Sequence, residues 1–416
     1  MRKIYLPLKN SFKVDFKDEI YKKIYYMSEG ITNYEIDIKG NDIVGMQLEV
    51  SDECDTDLLS SYVNEVIEKD IIGLKNIKCK CAWHDDCETV GDSKNVLEKM
   101  IEMDVAKPYA QGTVCIKEPF TELFYFFSEL FKSIGKYKFN AESNKYPTLI
   151  KSTTLNKVGY FGSFPHLLMF VNRLENTVDN FNSFKEDFKD MNDEDKITEK
   201  LGKYMCQSDY ALTPAACYHV YEDYENTEVD NKCVTTVGQV YRYENKYEKP
   251  FERLWEFNMR ELVFLGTKSY VEQSLEKSKQ YAINIIEDLE LKGVCETAND
   301  PFFLTANNTN RINAQKMIGS KYELKLRVNK DDFLAVASFN LHSQFLSYKF
   351  NISEKANPNN KIYTGCFAVG IERIFFAFLS QYGVNKENWP EVVKNYYNRD
   401  TSNQVFFENY FKMINL

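Results

Sequence analysis

Long apolar runs are missing from this 416-residue chain. No stretch approaches the roughly 20 residues that a membrane-spanning helix needs, and the opening MRKIYLPLKNSFKVD has no secretory apolar region. A membrane protein is therefore not expected, and neither is an exported disulfide scaffold. The ten cysteines read as reduced thiols in a cytoplasmic setting. Histidine is scarce at four residues, which excludes a His-rich metal site. Cationic residues are outnumbered, with 52 Lys and Arg against 62 Asp and Glu, for a net charge of −10. Nucleic-acid affinity rests mostly on phosphate neutralisation, so this balance argues against such a partner. No local Lys/Arg cluster offsets it, and internal repeats and low-complexity tracts are absent as well.

What is present is ample core material. The chain is 44% hydrophobic and 15% aromatic, enough to bury a large interior and to exclude wholesale disorder. Its length suits two domains. The first, residues 1–108, reads β-α-β-β-α-β. A strand near Ile4–Leu8 and a helical-period run over 15–29 come first. Strands over 32–38 and 43–50 follow, joined through Gly40, Asn41 and Asp42 as a hairpin turn. Asp55 or Thr56 then caps a helix to about Ile72, with Leu58, Leu59, Val63, Val66 and Ile67 on one face. A last strand covers 77–83. That order is the ferredoxin-like plan. Residues 1–110 carry 15 Lys and Arg against 22 Asp and Glu, so most of the excess acidity sits there.

Residues 109–416 form the second unit. The aromatic run over 120–134 has helical spacing and reads as a buried or interface helix. Residues 176–200 form an acidic, polar helix-and-loop region without readable chemistry.

Three clusters offer chemistry. Cys79, Cys81, His84 and Cys87 carry zinc-type donors, but the C-x₂-C knuckle is missing, and half-buried thiols are the preferred reading. The stretch 240–257 reads as a hairpin presenting Arg242 and Glu244 on one strand and Arg253 and Phe257 on the other. Guanidiniums clamp phosphates through paired charge-assisted bonds. A ring can stack on a base, and a carboxylate can accept from an exocyclic amine. Third, Gly370 ends a strand and Arg373 sits in the first turn of an apolar helix, a geometry that favours anions.

Taken together, these residues resemble the three motifs of the class II aminoacyl-tRNA synthetases, in order and at sensible spacing. Motif 1 is matched by the helix over 120–135 and the segment 144–149 with Pro147, motif 2 by Arg242, Glu244, Arg253 and Phe257, and motif 3 by Gly370 and Arg373. The resemblance implies that Arg242 holds the α-phosphate of ATP and the substrate carboxylate. It implies that Phe257 stacks on adenine and that Arg373 holds the γ-phosphate, with Mg2+ assisting. A closer resemblance, to the zinc-dependent seryl branch and its truncated relatives, the amino acid:[carrier protein] ligases, makes Cys217, Glu261 and Cys366 the ligands of a catalytic Zn2+. Two thiolates and a carboxylate leave one position open for the amino group of a small amino acid. Asn340 is expected to touch that substrate, His166 to be a hydrogen-bonded bystander, and His342 is open between the two roles.

The fold implied is α+β, a class II synthetase antiparallel sheet with flanking helices plus the ferredoxin-like α/β domain. The expected activity is formation of an aminoacyl adenylate and transfer to the phosphopantetheine thiol of an acyl carrier protein, by a homodimer joined near the 120–131 aromatic stripe. Transfer to tRNA by a seryl-type synthetase, and an inactive amino-acid-binding paralogue, are the alternatives. One departure stands out. Residues 333–337, where the family supplies a magnesium-binding carboxylate, are wholly apolar, and the nearest acids are Asp331 and Asp332.

Overall fold

The computed structural model describes residues 1–85, 92–244, 251–305, 307–330 and 332–416. An eight-stranded sheet runs through its centre, in the order Cys81–His84, Gly293–Thr297, Lys321–Arg327, Phe333–Ser343, Tyr363–Gly370, Glu256–Gly266, Lys232–Tyr241 and Glu142–Asn144. Every pairing is antiparallel except the last, which is parallel. The expected α+β class with an antiparallel sheet and flanking helices is what forms.

Successive residues of a strand point to opposite faces, and the central strands use both. Leu262, Phe264, Phe367 and Val369 face the helices Phe120–Phe139, Lys268–Asp288 and Ile371–Tyr382 in the main core. Val263, Leu265, Cys366 and Ala368 face the opposite side, where a second apolar cluster includes Ile150, Tyr160 and Cys217. The functional groups lie on that second side.

The aromatic helix lies inside the chain's own core. Phe120, Phe126, Phe127 and Phe131 are fully buried, and Phe131 meets Phe367 edge-on at 5.6 Å while Phe367 stacks on Phe339 at 4.7 Å. The buried reading of this helix is thereby met. Its rings are consumed under the sheet, and Tyr125 is the aromatic residue of that stripe left exposed.

The N-terminal unit differs from the ferredoxin-like plan. Its sheet has three strands, Arg2–Lys13, Asp42–Val50 and Ile31–Lys39 in that spatial order. The hairpin turn is present, with Gly40 at φ +63° in the left-handed region that glycine tolerates. The Thr56–Val66 helix starts where Asp55 accepts hydrogen bonds from the backbone N–H groups of Asp57 and Leu58. Leu59, Val63, Val66 and Ile67 are buried, while Leu58 points outward. The expected fourth strand shortens to Cys81–His84 and pairs with Gly293–Thr297 at the edge of the central sheet. That edge offered unpaired backbone groups, and covering it satisfies them. The chain thus crosses from the small core, which includes Ile71 and Leu74, to the main core, which includes Val96 and Met100.

Replacing Phe131 by alanine empties a fully packed aromatic site. Denaturant unfolding is expected to show a loss of about 3–5 kcal/mol.

Candidate active site

Strand register assembles the site in rows. Lys321 pairs with Asn340, Asn340 with Cys366, and Cys366 with Val263. One row further on, Glu323 pairs with Ser338, Ser338 with Ala368, and Ala368 with Glu261. Paired residues share a face, so these polar groups stand side by side on a floor four strands wide. They line a cavity of about 360 Å³, together with Arg242, Phe257, Gly370 and Arg373.

Cys217 arrives from above, on the Thr213–Cys217 loop. That loop is stapled at three points. The Tyr241 N–H donates to the Thr213 carbonyl at 2.8 Å, Arg242 Nε donates to the Pro214 carbonyl at 3.0 Å, and the Ala216 N–H donates to Glu261 Oε1 at 2.9 Å. The consequence is that donor atoms of Cys217, Glu261 and Cys366 all lie within 4.8 Å of one another, fully buried. The second Glu261 oxygen, Oε2, is buried without a hydrogen-bond partner. Such a group is costly in an apolar surrounding, and burial pushes the Glu261 carboxyl up to about 7. Cys366 receives the Cys217 thiol, His342 Nε2 at 4.0 Å and Asn340 Nδ2 at 3.5 Å, and these donors hold its thiol well below the ordinary range. Two sulfurs and an orphaned carboxylate oxygen at this spacing fit a zinc ion with an open position.

The opposite end of the cavity is cationic. Arg373, from the first turn of the Ile371–Tyr382 helix, donates to the Ala335 carbonyl at 3.2 Å. Burial and then the Arg253 guanidinium lower it to about 10. The Arg242 guanidinium lies 5.4 Å over the Phe257 ring. Glu244 accepts from Arg253 at 2.9 Å. Burial would raise its pKa, but Arg253, Arg373 and Arg242 outweigh that and hold its carboxyl below the usual range. One carboxylate among three guanidiniums leaves net positive charge, a setting for polyphosphate.

The expected residues therefore converge, with two differences. Arg242, Glu244 and Arg253 lie just beyond the paired strands, which end at Tyr241 and begin again at Glu256, with the Arg242 N–H still donating to the Trp255 carbonyl at 2.9 Å. Glu244 and Arg253 sit behind Arg242 and Phe257 and, among the described residues, are not part of the cavity wall. His342 is drawn into the site, since Tyr221 Oη lies 3.2 Å from its Nδ1 and Cys366 lies on its other side. His166 stays outside the cavity, packed on the Tyr26 ring at 4.5 Å.

Elsewhere the expectations do not converge. Cys79 and Cys81 are exposed, and among the described residues they form no metal-type cluster with His84; Cys87 lies outside the described residues. Asp332 is spent in a turn with Asn329, at 2.8 and 2.9 Å, and Asp331 lies outside the described residues. A carboxylate does reach the cavity from the strand beside Phe333–Ser343. Glu323 faces the cavity opposite Ser338, 3.2 Å from Lys321, which also pairs with Asp300 at 2.8 Å. The alternation KYELKLR over 321–327 carried that signal, since its polar residues share one face.

Two outcomes follow. Purified protein is expected to hold about one zinc per chain by elemental analysis, lost in Cys217→Ser and in Cys366→Ser; stoichiometric zinc retained in both variants contradicts the site. Glu372 ties the motif 3 helix to motif 2, accepting from the Asn258 N–H at 2.8 Å and from Asn258 Nδ2 at 2.9 Å. Burial raises it to about 7, above an unfolded glutamate near 4.3. Its contribution is complete below about pH 4 and is lost as pH rises through about 7. Thermal melts are expected to show stability falling between pH 5 and 8 by up to about 3 kcal/mol, with a flatter profile in Glu372→Gln.

Residues 203–382 match the tRNA synthetase class II core domain of the G, H, P, S and T group. Among curated proteins the chain is 28% identical over 306 residues to the type-2 serine–tRNA ligase of Methanococcus maripaludis strain C6, covering 70% of this chain and 59% of that protein. It is also 28% identical over 284 residues to the one from Methanocaldococcus jannaschii, covering 66% and 54%. The chain thus spans about three fifths of the length of the first of these relatives. Among solved structures it superposes on M. kandleri SerRS, in its complex with A. aeolicus tRNASec, with a TM-score of 0.69 at 18% identity, covering 95% of this chain and 77% of that one. Giardia lamblia prolyl-tRNA synthetase in complex with prolyl-adenylate gives 0.50 at 13%, covering 70% and 54%. At these identities the structural likeness concerns the fold. From the interleaved motifs, the sheet and the matched segment together, residues 203–382 are a class II aminoacyl-tRNA synthetase core domain.

Proposed function

We propose that this chain activates a small amino acid with ATP, serine being the first to test, and passes the aminoacyl group to an acceptor. The observation that carries the reading is one cavity with Cys217, Glu261 and Cys366 at one end and Arg242 and Arg373 at the other. When bound, zinc supplies an open Lewis-acid position for a free α-amino group. The chain's own residues account for the rest. Asn340, in register with Cys366, is placed to hydrogen-bond the amino acid. Arg242 and Arg373 pair with phosphate oxygens, and Phe257 offers a ring to the base. Glu323 and Ser338 are the groups that would hold Mg2+ beside the phosphates.

In the reaction a carboxylate oxygen of the amino acid bonds to the α-phosphorus. The bond from that phosphorus to the bridging oxygen breaks, and pyrophosphate leaves with the electron pair. Positioning the two reactants and opposing the developing charge with fixed guanidiniums supply the acceleration.

The curated relatives are named serine–tRNA ligases, so we put tRNA first as acceptor and abandon the expectation, drawn from net charge, that tRNA is no partner. A phosphopantetheine-bearing carrier protein is the second reading. The acidic 1–110 segment favours it, because 22 Asp and Glu against 15 Lys and Arg repel phosphate backbones. A homodimer belongs to either reading.

Serine-dependent ATP–pyrophosphate exchange is expected in the wild type, with a loss of roughly 100-fold or more in Arg373→Ala. Absence of exchange with serine, alanine and glycine leaves only the amino-acid-binding alternative. With labelled serine and both acceptors present, label on tRNA supports the first reading, and label on the carrier overturns it in favour of the second.

A further inference from the structure

The N-terminal unit contacts the surroundings of the catalytic cavity through two sets of hydrogen bonds, which meet at Phe303. In the first, the Tyr26 hydroxyl donates to Glu244 Oε2 at 3.2 Å, the same oxygen that accepts from Arg253 at 2.9 Å. Tyr26 is itself wedged against His166 at 4.5 Å and Phe303 at 6.0 Å. In the second, Lys23 and Asp70 form an ion pair at 3.0 Å, 3% and 0% exposed. This pair reaches out of the small domain to grip main-chain groups of the cavity wall. Lys23 Nζ donates to the Phe302 carbonyl, and the Leu304 N–H donates to Asp70 Oδ2 at 3.0 Å. The Phe303 side chain between them is part of the N-terminal core. Asp300 and Phe302, one step away along the chain, line the cavity, and Phe302 stacks on Phe164 at 5.3 Å with Arg311 lying 3.9 Å over it.

A buried ion pair is expensive to desolvate and gives little net stability. One whose remaining hydrogen bonds all go to a substrate-facing segment is best explained by what it positions. We infer that the N-terminal unit is a positioning element of the adenylation site, with two separable tethers. Tyr26 sets the Glu244–Arg253 pair on the nucleotide side, and Lys23–Asp70 sets the 300–304 wall on the amino acid side. This deepens the proposed function and rests on that reading.

The separation makes the inference testable through a split in KM. In ATP–pyrophosphate exchange, Tyr26→Phe keeps the ring and removes one hydroxyl. It is expected to raise KM for ATP roughly three- to ten-fold, the scale of one ordinary hydrogen bond, with KM for the amino acid unchanged. Asp70→Asn is expected to do the reverse, raising KM for the amino acid and leaving that for ATP unchanged. Lys23→Met removes the donor to the Phe302 carbonyl of the same wall and stands in for Asp70→Asn should that variant not fold. Equal loss on both substrates in every variant means general destabilisation and overturns the inference, as do unchanged constants in Tyr26→Phe and in either wall variant. In both cases the proposed activity survives, because the wild type still exchanges. A wild type without exchange overturns the activity and the inference together.

Discussion

The register between the strands Glu256–Gly266 and Tyr363–Gly370 is the constraint on which the rest depends. Because Val263 opposes Cys366 and Glu261 opposes Ala368, a carboxylate and a thiol meet diagonally on one face. Phe367 and Leu262 go to the other, where they meet the helices. A slip of one residue would exchange the faces. Phenylalanine and leucine would then fill the cavity, and the ionisable groups would be driven into the aromatic core. The large core beneath the sheet therefore specifies the site as well as stabilising the fold. Every aromatic ring packed under Phe367 is an argument against that slip.

Electrostatics then divides the cavity. At one end, two thiols and a carboxylate are packed together, and Glu261 Oε2 is buried without a hydrogen-bond partner. At the other, three guanidiniums surround a single carboxylate, which suits an anion. The buried Lys23–Asp70 pair extends this arrangement past the catalytic domain, tying the small domain to the cavity wall through main-chain bonds.

How much of this could be read in advance follows the range of the interactions involved. The hairpin at Gly40, the cap at Asp55 and the helix beginning beside Gly370 depend on neighbours within a few residues, and they form where the local chemistry points. The helical spacing of its apolar residues likewise marks the 120–134 helix as buried. What covers that helix is a long-range matter, because the strands and helices that pack on its rings lie far from it in sequence. Likewise, the strand at Cys81–His84 has nothing local to say which sheet it joins. The open edge at Gly293–Thr297 decides it by hydrogen-bond satisfaction.

The site divides the same way. Residue types and spacing by themselves determined the R-x-E and G-x-x-R segments with their arginines and the absence of an acid in 333–337, since each is a short segment with its own chemistry. The donor set Cys217, Glu261 and Cys366 comes from the family resemblance of the segments around them. Only the tertiary structure decided that Glu323 reaches the cavity from the neighbouring strand, and that His342 rather than His166 faces the sulfurs. It also decided that a unit far away in sequence hydrogen-bonds Glu244 and the Phe302–Leu304 segment. Those outcomes depend on which strands lie side by side and on where a buried charge finds its partner. Sheet pairing and desolvation settle both across hundreds of residues, beyond the reach of any local pattern.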